Sequence, residues 1–214
     1  MSDGVRNLDV SRLGLLEDYS HMSVRQARAL VRSARSYQEA IWIADTDPRQ
    51  AWLRLVTAVE TIAQLQPKAP EEERLREVYP DMAEQILSCG NPELVEWFTR
   101  KIADREAAQS RFLKFLKDFG PPRPPRRPKS ASEKQDWRQL HKQLRNIYQA
   151  RSDDLHKGSP IPKEMCQAPY VSSRGIAAEV TFSPSGGKAR LRLHIFEYIV
   201  RYAILSWCHS VGNR

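Results

Sequence analysis

Nearly every stretch of this chain with any hydrophobic periodicity repeats at three and four residues, and most of those stretches begin or end on helix punctuation. That pattern builds a helical bundle and leaves little from which to make a sheet. Ser23 stands as an N-cap ahead of a run to Asp45, with Ala27, Leu30, Val31, Ala34, Tyr37, Ile41 and Ala44 on one side. Asp47 and Pro48 place a capping side chain before a proline at the first helical position, where the missing N–H costs nothing. Trp52, Leu55, Val56, Val59, Ile62 and Ala63 form the stripe that follows. Residues 70–90 have an acidic first turn and end on Gly90, with Pro80 imposing a kink or a split into two short helices. Asn91 and Pro92 repeat the cap-then-proline signature and open a long helix to about Phe119.

Residues 120–132 are rich in proline and arginine and have no apolar period, which predicts a loop. Helix signals return from about Glu133 to Gly158 and again in the last segment, through Ile195, Phe196, Ile199, Val200, Ala203, Ile204 and Trp207. AAEVTF and KARLRL alternate around SPSGG, so a small hairpin precedes the last helix. The expected fold is all-α: a bundle of five or six helices over residues 23–211, interrupted by the 120–132 loop. Residues 1–22 form a tail or docking arm. The tryptophans fall mostly on apolar stripes and read first as core.

The chain carries 34 Lys+Arg against 26 Asp+Glu, a net charge of +8, which suits a polyanionic partner without naming one. No run approaches the roughly 18 apolar residues of a membrane span, and the first ten residues lack the layout of a secretion signal. Cys89, Cys166 and Cys208 are too few and too scattered for a disulfide framework or a zinc site. A cytosolic chain with no metal and no cofactor is expected, and no membrane partner.

The chemistry concentrates in YQARSDDLHKG, residues 148–158. Arg151 lies three residues after Tyr148, four after Ile147 and four before Leu155, on the apolar stripe itself. A guanidinium cannot shed its charge, so that position needs a carboxylate, a phosphate or a subunit boundary to receive it. Glu60 in AVETIA, about 40° from Val56 around its helix, is a candidate carboxylate. His156 follows Arg151 by five positions, which on a continuous helix separates the two side chains by about 140°. Either the helix ends between them, or two copies of the chain build the pocket.

These residues resemble the HEPN superfamily of helical-bundle proteins, its ApeA-like branch in particular. The family's motif is Arg, a small polar residue, three to five more residues, then His; here Arg151, Ser152, then His156. The resemblance covers about residues 25–66 and 135–211. It implies helices paired between two subunits, both motifs in one cleft, and a metal-independent endoribonuclease of the kind found in toxin and antiviral defence systems. Arg151 and His156 are then the catalytic residues, with Ser152 and Glu60 in support and Lys157 adding positive charge for RNA. RNA and a second copy are the expected partners, with an antitoxin or accessory protein as a further one. The alternative is a non-catalytic helical module that binds a protein or nucleic acid through the same face.

Competing readings follow from ordinary helix chemistry. R-x4-H is short enough to occur by chance, and His156-Lys157-Gly158 is also what a helix C-terminus wants: cations at the negative dipole end and glycine at the cap. Arg123, Arg126, Arg127 and Lys129 could track a phosphate backbone, although a solvated linker is the simpler reading. His21, His194 and His209 read as surface or terminal positions, and His141 as packed on its helix.

Overall fold

The computed structural model describes residues 15–67, 70–88, 90–103, 107–122, 139–167, 180, 181 and 190–212. Its α-helices are α1 (Leu15–Tyr19), α2 (Val24–Ile43), α3 (Pro48–Ala63), α4 (Glu71–Val78), α5 (Pro80–Ser88), α6 (Pro92–Ala103), α7 (Ala107–Phe119), α8 (Leu140–Lys157) and α9 (Leu193–Gly212). The fold is all-α, with one minor β element. β1 (Val180–Thr181) pairs antiparallel with β2 (Arg190–Leu191), Val180 opposite Leu191, immediately before α9.

The punctuation works as the sequence implies. Ser23 and Gln26 form a reciprocal capping box at the start of α2. The Asp47 carboxylate accepts from the Gln50 N–H, with Pro48 at the first position of α3. Pro80 separates α4 from α5, and α8 ends at Gly158 in the left-handed region (φ 66°). The long helix expected from Pro92 to about Phe119 is described as α6 and α7, with 104–106 outside the described residues.

Helix α3 is the spine. Trp52, Leu55, Val56, Ala58, Val59 and Ile62 are all essentially inaccessible, so α3 is wrapped by α2, α7, α8 and α9 rather than lying on the surface. Phe112, Leu113 and Phe115 of α7 and Phe196, Ile199 and Val200 of α9 complete the core. The Trp52 indole stacks on Phe196 at 4.9 Å and donates to the Met165 carbonyl at 3.0 Å, tying the 3₁₀ turn Lys163–Cys166 to the spine.

Two expectations need correction. The buried face of α2 centres on Ala29, Ser33 and Ala40; of the expected stripe, Leu30, Tyr37 and Ala44 pack against the core, whereas Val31, Ala34 and Ile41 are exposed. Small side chains let α2 close on α3, where the Ser33 hydroxyl donates to the Ala58 carbonyl at 2.7 Å. Backbone proximity therefore outweighed hydrophobic bulk in choosing the face. Trp52 and Trp207 are core, but Trp42 and Trp97 are exposed. Within the expected tail or docking arm, residues 1–22, Leu15–Tyr19 is helical and packs on α9, where Asp18 meets the largely exposed His209 at 2.7 Å. Among the described residues, no helix is long and apolar enough to cross a membrane.

Candidate functional site

The site starts from two neighbouring aromatics. Phe112 of α7 packs against the Tyr148 ring of α8 at 5.1 Å, which fixes the phenol in the core while its hydroxyl reaches α3. That hydroxyl donates to Glu60 Oε1 at 2.8 Å. The other Glu60 oxygen, Oε2, accepts from Arg151 Nη2 at 2.7 Å. The guanidinium lies 5.7 Å from the Tyr148 ring centroid, within range of a cation–π attraction. Glu60 and Arg151 are 14% and 20% exposed. The pair is thus partly shielded from water, and its attraction is stronger than that of a fully exposed pair. Both Glu60 oxygens are engaged, whereas Arg151 uses one of its five N–H donors among the described residues. The guanidinium is oriented, with donors left over for an anion.

A second ion pair holds the end of the same helix. Asp154 is buried, its side chain 1% exposed, and it receives a two-pronged bond from Arg49: Nε to Oδ1 at 2.8 Å and Nη2 to Oδ2 at 3.0 Å. The bond to Asp154 raises the Arg49 pKa. Sequence reasoning missed this pair. Its signal was present, since Asp154 lies seven residues after Ile147 and therefore almost on the same line of α8. Leu155, assigned to the stripe, is instead 53% exposed, because α3 takes up Asp154 at that level.

His156 is exposed on the last turn of α8 and, among the described residues, makes no hydrogen bond or ion pair. The helix does not end between Arg151 and His156; it continues through Lys157. Of the two arrangements open to the motif, a helix break is therefore excluded. Ser152 is half-buried between them. Lys157 is exposed but bridges back to Asp153 at 2.7 Å, and this bond, with a second from Gln149, holds the Asp153 carboxyl below its usual range. The Lys157 charge is largely answered within its own helix. His141 is half-buried beside Glu77 at 3.5 Å. Arg123, Arg126, Arg127 and Lys129 lie outside the described residues.

A cavity of about 480 Å³ flanks α8 on its other side, lined by Gln143, Ile147, Ala150, Asp153 and Arg190 among others; neither Arg151 nor His156 lines it. Cys166 and Cys208 are free thiols whose pKa values are pushed up chiefly by burial. Among the described residues, no three His, Cys, Asp or Glu side chains gather into a metal-binding group. The structure thus brings Glu60 to Arg151 and leaves His156 facing outward from the same unbroken helix. The chain matches no protein-family model, no curated protein and no solved structure.

Proposed function

We propose that this chain is a metal-independent endoribonuclease whose active centre is shared by two copies, Arg151 from one and His156 from the other. One observation carries the reading: α8 is unbroken, so a guanidinium anchored inward on Glu60 and an exposed imidazole sit about 140° apart around one helix. One straight helix cannot turn both toward a single phosphate; a second copy supplies the missing half. Leu155, exposed beside His156, adds apolar area for that contact.

The residue types suit cleavage by the RNA's own 2′-hydroxyl. A neutral imidazole takes the hydroxyl proton, or an imidazolium gives one to the leaving 5′-oxygen. The free donors of Arg151 meet the added negative charge on the phosphorane, while Glu60 and Tyr148 keep the fork from swinging away. Ser152 contributes a hydroxyl to the phosphate, and Lys157 adds charge once an incoming phosphate draws it from Asp153. An activity of this kind fits a toxin or defence effector held in check by an antitoxin or accessory protein.

A second reading, a non-catalytic module binding protein or nucleic acid, is favoured by the lack of an orienting hydrogen bond on His156 among the described residues. Digestion in EDTA separates the two. The nuclease yields fragments ending in 2′,3′-cyclic phosphate and leaves DNA intact, because DNA lacks the attacking hydroxyl. Diluting the protein below its dimerisation constant lowers specific activity; a flat response removes the shared site. Binding without any EDTA-resistant cleavage removes the nuclease and keeps the module.

A further inference from the structure

Helix α2 carries an excess of cations for which the fold offers no stabilising role. Arg25, Arg28, Arg32 and Arg35 follow one another at intervals of three, four and three residues and cover a strip about 80° wide. Glu39 is the one acidic residue in the α2 sequence, and it is already shared between Arg35 at 3.5 Å and Arg54 at 3.2 Å. Arg25, Arg28 and Arg32 are exposed and make no ion pair among the described residues. They also crowd the N-terminal half of the helix, whose positive dipole end disfavours cations. A solvated face selected for stability carries acidic residues there and alternating charges beyond.

Aromatic rings flank the strip at both ends. Trp42 is 74% exposed and lies within about 40° of Arg28 and Arg35 around the helix. At the other end, a hollow of about 410 Å³ is lined by Tyr19, Met22, Val24, Arg28 and Arg32 among others. Tyr19 is 42% exposed. The whole strip, from Arg25 to Trp42, is about 26 Å long at 1.5 Å per residue.

We infer that the outer face of α2 binds single-stranded nucleic acid, with Arg25, Arg28, Arg32 and Arg35 along its backbone and Tyr19 and Trp42 against its bases. Forked guanidinium groups match phosphate oxygens, and flat rings accept any base by stacking, so the surface is sequence-tolerant. Anionic lipid is the competing occupant, because Val24, Val31 and Trp42 are exposed along one line of α2 beside the arginines. The arginines and the hollow at Tyr19 together offer phosphate and base contacts, which favours a nucleic-acid strand, and lipid binding is an outcome of the test. The inference stands whether or not RNA is cut, because binding is read without cleavage.

The test is fluorescence anisotropy of the full chain with a 2′-O-methyl oligoribonucleotide of about twelve nucleotides, a length within the site sizes of ~4–16 nucleotides typical of single-strand binders. Methylation blocks the attacking hydroxyl, so failure here and failure of the cleavage reading are distinct results. The triple variant Arg25→Ala/Arg28→Ala/Arg32→Ala loses affinity at least about tenfold and lowers the slope of log K against log salt by about 2. Trp42→Ala weakens binding about tenfold, and Trp42→Phe restores part of it. A control with the same charge loss elsewhere, Arg76→Ala/Arg100→Ala/Lys101→Ala, binds as the native chain does. Equal losses in both triple variants, an unchanged α2 variant, or binding to phosphatidylserine vesicles or an acidic protein without binding to the oligonucleotide overturns the proposal. Circular dichroism confirms that each variant is folded.

Discussion

Alanine at His156 lowers the rate of EDTA-resistant RNA cleavage by about 10²–10⁴-fold, the range a positioned general acid or base contributes. Thermal stability stays close to native, because the His156 ring is exposed and makes no hydrogen bond or ion pair among the described residues. That combination distinguishes chemistry from fold. Arg151→Ala costs about 10²–10³-fold in rate, as expected for removing a donor to the charged intermediate, but it also strips Glu60 of its cation and lowers stability. Arg151→Lys keeps the charge while losing the fork, so its folding is closer to native and its rate is not restored. Glu60→Gln leaves the guanidinium without its carboxylate; slower cleavage with unchanged oligonucleotide binding marks Glu60 as a positioning residue. A His156→Ala variant that cleaves as fast as the native chain ends the nuclease reading.

The largest stability effect is expected at Trp52, far from any chemistry. Its indole is 1% exposed, stacks on Phe196 and donates to the Met165 carbonyl. Truncation to alanine removes the transfer free energy of a large ring and opens a cavity in the spine, costing about 3–5 kcal/mol. At about 2–4 °C per kcal/mol for a chain of this size, the melting temperature falls by roughly 10 °C. Trp52→Phe keeps most of the stacked area but leaves the Met165 carbonyl without its donor, for about 1–3 kcal/mol. A thermal melt with losses below 1 kcal/mol for Trp52→Ala contradicts the packing described for α3.

How much of this was legible in the sequence depended on whether the signal was local. Helix starts were readable because a cap is written within four residues: Ser23 with Gln26, and Asp47 with Pro48 and Gln50. The C-terminus of α8 was readable from Gly158 for the same reason. The buried face of α2 is rotated from the one its bulk implies: Leu30, Tyr37 and Ala44 do pack inward, but the approach of α3 selects Ala29, Ser33 and Ala40 and leaves Val31 and Ile41 exposed. Which face a helix buries is decided by its neighbour, and the neighbour's identity is not local information.

The same distinction runs through the site. Arg151 announced itself, since a permanent cation on an apolar stripe needs an anion, and Glu60 was a candidate from its own place beside a stripe. Asp154 carried the converse signal, a carboxylate on the Ile147 line, but its partner Arg49 lies 105 positions away. The basic strip of α2 was hidden because net charge averages over the chain, and only the exposed pattern on one helix separates an ordered row of arginines from a general excess.

The shared site is tested most directly by mixing two inactive variants. Arg151→Ala and His156→Ala, combined in equal amounts and allowed to exchange subunits, form heterodimers in which one of the two composite sites has both groups intact. With half the dimers mixed, about a quarter of the native cleavage rate returns. A mixture no more active than either variant alone, under conditions where exchange is shown to occur, contradicts a centre built from two copies.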